Sequence, residues 1–264
     1  MEFPESYFTS SLKYLLFSTQ AESRRNIVND TWQQKIGIIV PSWNTVMEYE
    51  TQRLAGIGGT GASVHSMRIP HTADTEEKLT WLSTQAPDAA KLLAHANVNV
   101  IGYGCTASGF LHTPAEDKAL AERIHGETGI PCATSSRAIV DGLRTLGAQK
   151  LSLASPYAPW LNERLKQYLT ADGFEVLAMQ GLSTEAHSTI TRERILALVD
   201  EVVRPQTEAI FISCSNFRTL EIIDGIEQKY NLPVVTSNAS MMWRMLRLMN
   251  DKRDVPGAGR LFKL

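Results

Sequence analysis

The sequence predicts an α/β chain of two similar lobes, each built on a parallel sheet. Three observations predict it. Near-continuous apolar runs of strand length recur along the chain, helical patterns separate them, and the runs repeat in order at a slowly drifting offset. A run that is apolar on every residue reads as a strand buried on both faces, as in parallel sheets. Strands that alternate with helices imply βαβ units and a doubly wound architecture.

In chain order, residues 1–34 mix polar and apolar side chains and read as an N-terminal extension, with a short amphipathic helix across Ser11–Arg24. An oligomer contact or a cover over the body is the role expected of it. The first strand is Lys35–Pro41, and the glycine-rich Gly56–Gly61 does not follow a strand in the dinucleotide-binding pattern. It is expected to be a flap at a cleft or a plain surface loop. The next strand is Val98–Gly104. Thr113-Pro114-Ala115-Glu116 then opens a helix with a capping box and a proline at its first position. Pro131–Ser135 leads into a helix from Ser136 to Leu146 that stops at Gly147. Further strands are expected at Lys150–Ser155, near Met179, at Ala209–Ser213 and at Pro233–Thr236, and the Met241–Leu246 stretch has the helical spacing of a core helix.

The repeat joins these elements into halves. Ile36–Pro41 matches Leu151–Pro156 at an offset of 115, the strand into Cys105 matches the strand into Cys214 at 109, and Pro131–Ser135 matches Pro233–Ser237 at 102. Three pairs in the same order mark a duplication. The expected organisation is a first lobe over 35–145, a second over 146–237, a C-terminal helix at 238–250 crossing back onto the first lobe, and a tail at 251–264.

Composition narrows the function. With 264 residues and 43% apolar content the chain has ample material for a core, and 26 basic against 28 acidic residues leave a net charge of −2. That balance argues against an electrostatic nucleic-acid binder. No run is long enough to span a bilayer or to act as a signal peptide, so no membrane association and a cytoplasmic location are expected. The three cysteines, Cys105, Cys132 and Cys214, are too far apart for a CxxC clamp and too few for a disulfide framework. Any role they have is that of single thiols.

Ligands in open parallel sheets bind beyond the carboxyl ends of the strands. Cys105 and Cys214 both stand there, ahead of the small polar segments Thr106-Ala107-Ser108-Gly109 and Ser215-Asn216-Phe217-Arg218. Backbone N–H groups in those segments suit a carboxylate or an enolate oxygen. A helix start beside each thiol is expected to lower its pKa toward neutrality. One isolated cysteine at a strand end is ordinarily a space filler; two at equivalent places in duplicated lobes point to a shared function. Cys132 faces Val234 in the repeat and is expected in the core. His65, His71, His95, His112 and His125 show no ligand spacing, so no metal site is expected.

The constellation Val40-Pro41-Ser42-Trp43-Asn44-Thr45, Gly104-Cys105-Thr106-Ala107-Ser108, Ser155-Pro156-Tyr157, Cys214-Ser215-Asn216-Phe217-Arg218-Thr219 and Thr236-Ser237-Asn238 resembles the aspartate/glutamate racemase superfamily. It looks closest to the maleate cis–trans isomerase and arylmalonate decarboxylase branch, over roughly residues 35–250. The resemblance implies two pseudo-symmetric Rossmann-like lobes, with parallel sheets and a cleft between them, and no cofactor. It implies that Cys105 and Cys214 are the catalytic thiols, that Asn44 holds a substrate carboxylate and that Tyr157 donates a hydrogen bond. Ser42, Trp43, Thr106, Ala107, Ser108, His187, Ser215 and Asn216 complete the expected substrate-binding set. Two residues depart from the family pattern: Trp43 stands where the isomerases usually carry a small residue, and His187 is the nearest equivalent of an asparagine they tend to have.

The expected activity is cis–trans isomerisation of a maleate-like diacid by two thiols. Racemisation by two-base proton transfer is the alternative. The decarboxylase branch typically keeps only the second cysteine, so Cys105 counts against it, and a non-catalytic small-molecule binder remains the other class. The expected partners are a small carboxylic acid and further copies of the chain in a homodimer or higher homo-oligomer.

Overall fold

The computed structural model describes residues 34–57 and 62–264. The expected N-terminal extension with its helix, and the centre of the glycine-rich stretch, lie outside the described residues. The first half runs β1 (Lys35–Pro41), α1 (Met47–Gly56), β2 (Ser63–Ile69), α2 (Glu76–His95), β3 (Val100–Tyr103), α3 (Thr106–Phe110), α4 (Pro114–Thr128), β4 (Cys132–Thr134) and α5 (Ser135–Thr145). Its strands form one parallel sheet in the order β2-β1-β3-β4.

The second half runs β5 (Lys150–Ser155), α6 (Pro159–Ala171), β6 (Glu175–Gly181), α7 (Arg192–Val202), β7 (Ala209–Ile212), α8 (Ile223–Tyr230), β8 (Val234–Thr236) and α9 (Ser237–Leu248). Its sheet is parallel too, in the order β6-β5-β7-β8. Each strand thus holds the same place in its sheet as its counterpart four strands earlier. Two α/β lobes from one duplicated pattern are what the structure contains.

The sequence accounts for these elements locally. Ile36, Ile38, Ile39 and Val40 of β1 and Ala209–Ile212 of β7 are fully sealed from solvent, as central strands covered on both faces by helices must be. Thr113 and Glu116 form the expected capping box at α4. The last residues of β4 and β8, Thr134 and Thr236, both turn their hydroxyls to cap the helix that follows, so the repeat extends to the caps. β2 is the strand without an apolar run: it is an edge strand, half exposed along most of its length. Among the described residues no helix is long and apolar enough to cross a membrane.

The lobes are tied together at the ends where β1 and β7 stop. The α9 helix leaves the second sheet and packs along α5, reaching β3 and α1 of the first half. Met241, Met242, Met245 and Leu246 on it are buried as a core helix requires. On α1, the carboxylate of Glu50 is buried and accepts the N–H groups of Thr219 at 2.7 Å and Leu220 at 2.8 Å, with the Asn238 amide at 2.7 Å. Desolvation raises its pKa despite those donors. Nearby, Asn44 Nδ2 donates to Ser215 Oγ at 3.0 Å, and the Thr45 N–H donates to Asn216 Oδ1 at 3.0 Å.

Candidate active site

A small cavity lies where the strand ends of the two lobes meet. Loops after six different strands line it: Trp43 and Asn44 follow β1, His71 and Asp74 follow β2, Cys105–Ala107 follow β3, Tyr157 follows β5, His187 follows β6, and Cys214–Asn216 follow β7. Its volume is about 20 Å³, room for about one water molecule. A four-carbon acid does not fit this volume and is accommodated only if part of the wall moves.

Both thiols reach this cavity, by different backbone routes. Cys105 sits at the N-cap of α3 with an ordinary extended φ of −104°. Gly104 before it lets β3 end against Met47, where a Cβ would lie 2.1 Å from the Met47 sulfur. The Cys105 sulfur accepts backbone N–H bonds from Ser108 and Ala107. Cys214 has a φ of +111°, a region that non-glycine residues enter only under constraint. Its N–H is tied to Ser237 Oγ at 3.0 Å, its sulfur accepts the Asn216 N–H at 3.4 Å, and the sulfur lies 3.5 Å from His187 Nδ1.

The expected drop in thiol pKa does not occur. Burial pushes Cys105 up to about 12, against the Ser108 and Ala107 N–H groups that pull the other way. Burial raises Cys214 as well, opposed first by the Asn216 N–H. Removal of a thiolate from water outweighs a few backbone dipoles, and α3, five residues long, supplies little of a helix field. In this desolvated site burial favours the protonated form of both thiols at neutral pH.

The remaining expected residues divide. Trp43, Asn44, Thr106, Ala107, Tyr157, His187, Ser215 and Asn216 line the cavity with the two cysteines. Asn44 uses its Oδ1 to accept the N–H groups of Val46 and Met47 at the start of α1, which leaves one of its two amide hydrogens for a ligand. Thr106 Oγ1 and His71 Nδ1 are buried without a partner, the condition in which a polar ligand is most useful.

Ser42 and Ser108 do not line the cavity. Ser42 is exposed and braces the backbone of His71. The Ser108 hydroxyl is spent on the Leu79 carbonyl and Tyr103, and only its N–H serves Cys105. Cys132 is half-buried, not sealed in the core. It borders a separate surface cavity of about 690 Å³ between α4, α5 and α9 that contains neither Cys105 nor Cys214. That larger space is an open groove whose Arg137 and Arg244 are already paired with Asp141.

His71 and Asp74 are the residues that sequence reasoning missed. His71 Nε2 lies 3.0 Å from Asp74 Oδ1, and the other carboxylate oxygen lies 3.7 Å from His187 Nε2. The duplication held the signal: the loop after β6 carries His187, and its counterpart after β2 carries His71 and Asp74. His187, ordinarily a surface loop residue by type, is buried against the Trp43 ring at 5.7 Å and the Tyr157 ring at 6.0 Å between centroids. Burial lowers its pKa, opposed first by the Asp74 charge.

Comparison with known proteins agrees with this geometry. The profile of the arylmalonate decarboxylase family matches residues 36–262. A maleate isomerase of Geobacillus stearothermophilus is 29% identical over 86% of this chain and 96% of its own length. An arylmalonate decarboxylase of Bordetella bronchiseptica is 32% identical over 66% of this chain and 75% of its own. Among solved structures, a cysteine-to-serine variant of Nocardia farcinica maleate cis–trans isomerase with a covalently bound succinylcysteine intermediate superposes with a TM-score of 0.83. It is 26% identical, and the match covers 87% of this chain and 98% of the isomerase. A doubled parallel fold, paired thiols at its strand ends and a match across nearly all the described residues lead to one assignment: the chain belongs to the arylmalonate decarboxylase family.

Proposed function

We propose that this chain is a cofactor-independent isomerase that interconverts the cis and trans forms of a small unsaturated diacid of the maleate type. The observation that carries the proposal is the pair of thiols, Cys105 and Cys214, brought from equivalent strand ends of two lobes to one cavity. The maleate isomerases among its relatives, and the succinylcysteine of the Nocardia enzyme, support it.

In this reading Cys105, as thiolate, forms a C–S bond to one alkene carbon. The π pair moves to the neighbouring carbon and its carboxylate, and that carbon takes the proton of Cys214. The central bond is then single and rotates. Return of the proton to Cys214 and cleavage of the C–S bond regenerate the alkene in the trans form, with no net change in the protein. Charge that builds on the carboxylate oxygens is met by preorganised donors, the second Asn44 amide hydrogen, the Thr106 and Tyr157 hydroxyls and nearby backbone N–H groups. Cys105 favours this reading over decarboxylation.

Proton NMR in deuterium oxide tests it, with maleate, aspartate, glutamate and substituted malonates offered in turn. Fumarate from maleate is the expected result. Exchange at an α-carbon without fumarate would make the chain a racemase, release of carbon dioxide a decarboxylase, and tight binding without turnover a binding protein.

A further inference from the structure

His187 meets Cys214, and among the described residues no imidazole meets Cys105 in the same way. Nδ1 of His187 is 3.5 Å from the Cys214 sulfur, within reach of an S–H···N contact. On the far side of the ring Nε2 is 3.7 Å from Asp74 Oδ2, a charge contact longer than a hydrogen bond. The Thr184 carbonyl also accepts from this ring. The titratable groups that face it are Asp74 and His71 from the loop ahead of α2, Cys105 from the α3 cap, Tyr157 after β5, Cys214 after β7 and Glu185 from its own loop. A nucleophile, a base and a carboxylate aligned behind the base form the arrangement by which proteins activate weak nucleophiles.

We propose that His187 is a third catalytic group, the proton acceptor of Cys214, and that Asp74 is the positioning residue that sustains its charged form. This rests on the two-thiol reading above. In the resting site both thiols and the imidazole are neutral. The S–H bond of Cys214 breaks, its proton forms an N–H bond at Nδ1, and the electron pair stays on sulfur. The imidazolium is then balanced by the Asp74 carboxylate. The Cys214 thiolate takes the proton of Cys105 across the shared cavity. Cys105 becomes the thiolate that adds to the alkene, and Cys214 is again a thiol, ready to protonate the adjoining carbon. After elimination the protons return by the same route, so none enters or leaves the site. This arrangement solves the problem set by burial, which leaves neither thiol ionised by itself. The asparagine expected here from the family resemblance hydrogen-bonds but takes no proton.

His187 must be neutral to accept the proton, so activity falls as pH drops through its pKa, which burial holds below the ordinary imidazole value of about 6.5. Two arms test the proposal. In the first, needing no substrate, 15N spectra of histidine-labelled protein read the His187 tautomer. Nδ1 is expected unprotonated at pH 7, with a resonance that moves in Cys214→Ala and a titration midpoint that falls in Asp74→Asn. A protonated Nδ1 at pH 7, or a ring indifferent to both substitutions, overturns the idea even if maleate proves the wrong acid. In the second arm, His187→Asn is expected to lower kcat by at least roughly 100-fold, to leave KM within about threefold and to abolish the acid limb of the rate profile. Asp74→Asn should cut kcat about tenfold and move that limb to lower pH. Wild-type rate and profile in His187→Asn sink the proposal; should that variant fail to fold, Asp74→Asn decides the kinetic arm. Absence of turnover of any acid by the unmodified protein would sink the isomerase reading alone.

Discussion

The two halves of the site began as copies and now hold their sulfurs differently. In the first lobe Cys105 takes an ordinary backbone conformation and its sulfur is served by the chain's own N–H groups. In the second, Cys214 is held at φ +111°, anchored by Ser237 and flanked by His187. Sheet order, strand ends and threonine caps are shared by the lobes, whereas the side chains around the sulfur are not. Duplication thus preserved where the thiols stand and left their surroundings free to diverge. Chemistry in such a site comes from the divergence.

The sharpest way to break the comparison is to remove each sulfur in turn. Cys105→Ser and Cys214→Ser should each lower turnover of the authentic acid by at least roughly 10³-fold, because groups that act as a unit fail together. A progress curve followed by NMR checks this, and near-normal rates in either variant would end the two-thiol scheme. Next in size is reactivity. With Cys105 pushed up to about 12, alkylation of the free protein by iodoacetamide should stay slow through neutral pH and keep rising into the alkaline range. Mass spectrometry of the Cys105 peptide reads it, and a plateau below pH 8 would show an ionised thiol.

A smaller effect concerns the join between the lobes. Glu50→Gln turns an amide N–H₂ toward the donors of Asn238, Thr219 and Leu220, and should cost about 1–3 kcal/mol, measured by urea unfolding. The pH dependence has a definite sign. The folded protein binds the Glu50 proton more readily than the unfolded chain does, so this group makes stability fall as pH rises above the ordinary carboxylate range. The Gln variant should lose that slope. Smallest, and most telling for the comparison, are glycine substitutions at the sulfurs. Glycine relieves the positive φ at Cys214 but only loosens Cys105, so Cys105→Gly should destabilise by about 1–2 kcal/mol more than Cys214→Gly. Equal losses would mean that the +111° backbone carries no strain.

Much of this architecture was legible before any coordinates. Strands β1, β3, β5 and β7 announce themselves because a central parallel strand must be apolar on both faces, and the ordered repeat then requires two lobes. Cys105 and Cys214 follow from the rule about strand ends. β2 was not legible, because an edge strand with half its residues in water has no apolar run, and with it went the loop that carries His71 and Asp74. The thiol pKa values went the other way from expectation for a reason no local motif carries: burial is set by both lobes together. The surroundings of His187 likewise come from both lobes, Cys214 and Tyr157 from its own and Trp43 and Asp74 from the other.

The bonds from Asn44, Thr45 and Glu50 to the opposite half also govern how so small a chamber takes up its reactant. Swinging the halves apart like a clamshell would strip a dry carboxylate of its donors and part both amide links at once. The hinge is in effect welded. Local displacement of lining residues such as Trp43 and the His71–Asp74 turn asks far less of the fold, and small excursions of that kind set the turnover of many enzymes.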